Sequence, residues 1–142
     1  MSSRDGTRNS LPDNTLVVVA DGVGARFFRH SGHDSSASLS SESEFKPSNL
    51  IDDGPSGKRP PESSHQETDE ATFAKQLAHE LYRRAHKQEF PGLVLIADPQ
   101  TLGQIRPVLH KEVLDLLLLD IDKTLTNASA LEIQQALQAR LG

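Results

Sequence analysis

The chain has 142 residues, enough for one ordinary domain with a single core. Its 15 Lys and Arg face 20 Asp and Glu, a formal net charge of -5, which argues against a general nucleic-acid binder living on phosphate neutralisation. The lack of Cys excludes a disulfide scaffold or a thiolate metal site, and no stretch reaches the roughly 18 apolar residues of a membrane span.

Residues 1–14 are polar and aperiodic and read as a disordered tail. They lack the apolar run of a secretory signal, so a cytoplasmic protein is expected. The run Thr15-Leu16-Val17-Val18-Val19-Ala20 suits a strand buried on both faces. Asp21-Gly22-Val23-Gly24 is a turn signal, and Ala25 to His30 then reads as the second strand of a hairpin. Ala37 to Phe45 is polar and partly alternating, as an edge strand should be.

Lys46 to Thr68 forms a long irregular segment, rich in Gly, Pro and Ser. Asp69 to Phe90 is the clearest helix. Phe73, Leu77 and Leu81 recur at four-residue spacing beside a row of Ala74, Ala78 and Ala85. Acids open this helix and Arg83, Arg84 and Lys87 close it, as the helix dipole favours. Leu93 to Ala97 is a second fully buried strand. Asp98-Pro99 opens a helix to about Lys111, which Pro107 should kink or shorten. Val113 to Ile121 reads as a fifth strand. Ser129 and Glu132 have capping-box spacing and start a last helix with Ile133, Leu137 and Leu141 on one side. The order is β-β-β-α-β-α-β-α, which predicts an α/β domain over 15–142 with a mixed five-stranded sheet whose last two strands run parallel.

Several segments together resemble the bacterial host-attachment proteins, described as required for attachment to host cells. They are Val17-Val18-Val19-Ala20-Asp21, Ala25-Arg26-Phe27-Phe28, Phe73-Ala74-Lys75-Gln76-Leu77-Ala78, Leu93-Val94-Leu95-Ile96-Ala97, Leu102-Gly103-Gln104-Ile105-Arg106 and Ile121-Asp122-Lys123-Thr124-Leu125-Thr126. That family looks like a relative of the central domain of archaeal and eukaryotic peptide-chain release factors. The resemblance therefore implies a ribonuclease H-like fold. In those factors a Gly-Gly-Gln tip before the long helix promotes peptidyl-tRNA hydrolysis. Here the corresponding segment, Lys46 to Thr68, contains no Gly-Gly-Gln, so the hydrolytic role does not carry over.

Three catalytic patterns compete with a bland reading. Leu119-Asp120-Ile121-Asp122-Lys123-Thr124 has the Asp-x-Asp-x-Thr spacing of haloacid dehalogenase-type phosphatases, but too little chain follows it to supply the rest of that site. Asp21, Asp98 and Asp122 each end a strand expected to be central. Three carboxylates at that edge would suit Mg2+ and phosphodiester hydrolysis. The bland reading is that Asp is a common turn and cap residue, above all Asp98 before Pro99. Gly54-Pro55-Ser56-Gly57-Lys58 lacks phosphate-loop spacing. Among the histidines, His30 ends the second strand and His33 lies in the turn after it, a region expected to be exposed. His79 and His86 lie two turns apart on one side of the long helix with Arg83 and Lys87.

The leading expectation is a noncatalytic interaction domain without a cofactor. It would bind through Lys58 and Arg59 of the long loop and through Arg83, Arg84 and Lys87. Its partner would be a ribosome or other RNA–protein surface, or equally a protein linked to attachment. The alternative is a Mg2+-dependent nuclease or phosphatase using Asp21, Asp98 and Asp122.

Overall fold

A computed structural model of the chain describes residues 11–22, 24–31, 38–45 and 65–141, of which 65–70 and 141 are described by their backbone. Among the described residues the elements are β1 (Thr15–Ala20), β2 (Ala25–Ser31), β3 (Ser38–Phe45), α1 (His65–His86), β4 (Leu93–Ala97), α2 (Pro99–Ile105), a 3-10 turn (Arg106–Val108), α3 (Lys111–Leu114), β5 (Leu117–Asp122) and α4 (Ala130–Leu141). One mixed sheet runs β3-β2-β1-β4-β5. β1 pairs antiparallel with β2 and parallel with β4. β2 pairs antiparallel with β3, and β4 parallel with β5. The expected mixed five-stranded α/β sheet is therefore present, with the polar β3 at one edge.

Strand periodicity divides the core in two. Leu16, Val18 and Ala20 of β1 and Leu93, Leu95 and Ala97 of β4 face α1, α2 and α3. Val17, Val19, Val94 and Ile96 face Ile133 and Leu137 of α4. Both central strands are thus buried on both faces, which is why their sequences run apolar without alternation. Phe73, Leu77, Leu81 and the Ala row of α1 all lie in the first core layer. Across the second, Arg26 of β2 donates to the carbonyls of Thr126 and Ala128 at 2.8 Å each, which ties the approach to α4 onto the sheet.

Several boundaries differ from expectation. α1 begins at His65, not Asp69, because Gln66 and Glu67 are good helix formers although they lack the apolar row. The long connection is therefore shorter than 46–68, and its residues 46–64 lie outside the described ones. Residues 11–14 are not tail. Leu11 is buried in the second core layer, and Thr15 Oγ1 donates to the Pro12 carbonyl at 2.7 Å. The helix expected from Pro99 to Lys111 breaks at Pro107 into α2, the 3-10 turn and α3. β5 starts at Leu117, not Val113. Lys111 to Leu114 prefer helix, and His110 caps it by accepting from the Glu112 amide at 3.0 Å. His30 is buried in β2, not exposed, whereas His33 lies outside the described residues. The Ser129–Glu132 capping box is present in both directions, at 2.9 and 3.1 Å.

Candidate binding surface

The strand register brings the three aspartates to one end of the sheet. Ala20 pairs with Ala97 and Ala97 with Asp122, so Asp21 and Asp98 lie one step beyond that line. Their side chains serve local backbone. Asp21 Oδ1 accepts from the Gly24 amide at 2.9 Å and closes the β1–β2 turn. Asp98 caps α2, accepting from the Thr101 amide at 3.2 Å and its hydroxyl at 2.7 Å. Asp122 is exposed at the end of β5. Among the described residues, no group of three or more His, Asp or Glu side chains could hold a metal ion. The Mg2+ arrangement thus does not assemble from these carboxylates, because turn and cap geometry claims two of them. Asp120 of the Asp-x-Asp-x-Thr run instead ion-pairs with Arg106 at 3.0 Å on an edge strand.

The expected basic end of α1 is mostly neutralised. Glu80 lies three and four residues before Arg83 and Arg84, the spacing at which helical side chains meet. Arg83 reaches both Glu80 oxygens at 3.2 and 2.8 Å, and Arg84 Nε reaches one at 2.8 Å. The Arg84 guanidinium also lies 4.7 Å from the Phe27 ring centre and 3.8 Å from Glu42 of β3. Burial pushes the Glu80 carboxyl up, but hydrogen bonds and charge from Arg83 and Arg84 outweigh it and hold the group below the usual carboxylate range. The same contact raises Arg83. Lys87 is exposed, and Lys58 and Arg59 lie outside the described residues. Arg84 thus braces the helix against the sheet.

The other flank of α1 differs. Lys75, His79, Tyr82 and His86 follow one another at spacings of four, three and four, which makes a single stripe. His110, at the start of α3, lays its ring against Tyr82 with centroids 4.1 Å apart, and Tyr82 meets His86 at 5.7 Å. His86 Nδ1 lies 3.5 Å from Glu112. A hollow of about 220 Å³ opens among Lys75, Ala78, His79, Tyr82, Val108 and His110. A second of about 310 Å³ adjoins it across Lys75 and His79, with Phe45, Thr72, Gln76 and Glu80 around it. The pairing of His79 with His86 is readable from helical spacing, but nothing in the sequence places His110 against Tyr82.

A third cleft, of about 630 Å³, lies at the opposite end of the sheet among Asn14, Phe90, Leu116 and neighbouring residues. It includes the two non-glycine residues with positive φ among the described ones, Asn14 at 72° and Gln88 at 59°. Gln88 occupies the left-handed position after α1. Its amide donates to Ala85 and the Glu89 amide to Arg84, the double closure of a Schellman motif. Arg29 bridges the carbonyls of Asn14 and Glu89 at 2.9 Å each, so both strained turns are held from one side chain.

Residues 14–137 match the family described as bacterial archaeo-eukaryotic release factor family 12. The chain belongs to that family. The release-factor kinship expected from the matching segments is therefore a property of nearly the whole described domain. No curated protein matches this chain. Eighteen chains of solved structures do. One of them, described as an archaeal protein, aligns at 11% identity with a TM-score of 0.47 and covers 99% of this chain. The chain spans 38% of that protein's length. Among the described residues, no helix of this family 12 domain is long and apolar enough to cross a membrane.

Proposed function

We propose that this family 12 domain is an interaction module that docks on an RNA–protein particle, the ribosome first among them. Membership of a release-factor-like family over residues 14–137 is the observation that carries the reading. The connection between β3 and α1 stands where release factors hold their Gly-Gly-Gln tip. Here it offers Lys58 and Arg59 without that tripeptide, which favours docking over peptidyl-tRNA hydrolysis. Arg83 and Lys87 add exposed cations at the far end of α1, while Arg84 acts through the fold. The strand order β3-β2-β1-β4-β5, with β2 alone antiparallel to the rest, supports a ribonuclease H-like layout. Such a module would work in the cytoplasm, where ribosomes are. Any effect on attachment to host cells would follow from that docking.

The test is sucrose-gradient sedimentation of a cell lysate at low and high salt. The reading expects the protein to travel with ribosomal particles at low salt and to leave them at high salt. It further expects Lys58→Glu with Arg59→Glu to abolish co-sedimentation while the melting temperature stays unchanged. Protein remaining at the top of every gradient would sink the ribosome reading and turn the search to a protein partner linked to attachment.

A further inference from the structure

We propose that the open flank of α1 is a binding site for single-stranded RNA, with a base held against the Tyr82–His110 ring pair. The inference deepens the docking reading by naming the ligand class of a site outside the β3–α1 connection.

Four observations converge. The 220 Å³ hollow has an apolar floor in Ala78 and the 37%-exposed Val108, and ring walls in Tyr82, His79 and His110. Tyr82 and His110 already stand 4.1 Å apart, so their rings are fixed in place before any ligand arrives. A preordered platform of this kind suits an unstacked base, since every base offers a flat face. Lys75 sits at the rim of both hollows, and among the described residues it makes no ion pair, so its ammonium is available to a phosphate. The second hollow adds Gln76, whose Oε1 is buried and accepts no hydrogen bond from the described residues. That oxygen would accept from a base N–H, such as N3–H of a uracil.

The platform also selects against a duplex. Paired bases keep their faces inside the stack, so a duplex offers this platform no base to hold. Glu112, the nearby acid, lies 3.5 Å from His86 Nδ1. Glu80, on the other side, is held by Arg83 and Arg84.

The probe is a fluorescently labelled ten-nucleotide oligouridylate, titrated with the purified full chain and read by anisotropy. Wild-type protein is expected to bind it. Polyphosphate of equal charge should compete poorly, because it carries no bases. Tyr82→Ala should weaken binding by about ten-fold, within the range for losing one stacked base, and Tyr82→Phe should restore it. Since Tyr82 also packs on the core, Lys75→Ala with His79→Ala provides a second variant at exposed helix positions, and it should weaken binding at an unchanged melting temperature. No binding by the wild type, or equal binding by wild type and both variants, would overturn the proposal. If the oligonucleotide binds through Tyr82 while the protein stays at the top of the gradients, the site stands and the ribosome reading falls.

Discussion

The two flanks of α1 carry similar side chains and have opposite fates. Toward β3, Arg83 and Arg84 close on Glu80, and Arg84 is covered by Phe27 and drawn to Glu42. On the other flank, Lys75 and His79 make no ion pair among the described residues, Tyr82 meets the rings of His86 and His110, and Tyr82 and His110 line an open hollow. Counting cations along the helix does not separate these flanks. A cation with an acid at helical spacing and an aromatic ring across the sheet is part of the scaffold. A cation beside exposed rings is available to a ligand.

The contrast can be broken from the row that holds both flanks in place. Leu81 is fully buried, so Leu81→Ala should cost about 2–5 kcal/mol of folding stability in denaturant titration, and should blur both flanks together. Arg84→Ala removes the cation over Phe27 and a charged hydrogen bond to Glu80. The expected loss is about 1–3 kcal/mol, with oligouridylate binding unchanged. Gln88→Gly acts at the end of the helix. Its left-handed φ of 59° costs a side-chain-bearing residue about 1 kcal/mol, so the glycine should raise stability by roughly that amount in the same titration.

The smallest effect concerns acid. The Glu80 carboxyl is held below its ordinary value of 4.5 in the folded chain. The stability it contributes is therefore complete above that ordinary value and is lost as pH falls through the lower folded value. Glu80→Gln should lower the melting temperature at neutral pH and narrow the gap from wild type on acidification. A gap that stays constant would deny the Arg83–Glu80–Arg84 cluster its role.

Much of this architecture was legible in the residues. Continuous apolar runs marked β1 and β4 because both strands are buried on both faces, and the Phe73–Leu77–Leu81 row marked the buried side of α1. Short capped helices were harder. Val113 belongs to α3 and not to the last strand, because a His110 side-chain cap decides it and periodicity does not. Leu11 looked like tail because one apolar residue in a polar stretch carries no period. Of the candidate site, Glu80 could have been read as the partner of Arg83 and Arg84 from spacing alone. Phe27 under Arg84 and His110 against Tyr82 are contacts between distant parts of the chain, which no local pattern encodes. The aspartates were placed correctly at one sheet end, but their hydrogen bonds to Gly24 and Thr101 are matters of turn and cap geometry.

The most direct measurement is an NMR titration of the labelled protein with oligouridylate, following the ring signals of His79, His86 and His110 and the Arg84 Nε–H. The account predicts that the ring signals move together and saturate, while the Arg84 signal stays where it was. Movement of Arg84 with silent histidine rings would contradict it, since the ligand would then be using the flank that the fold itself occupies.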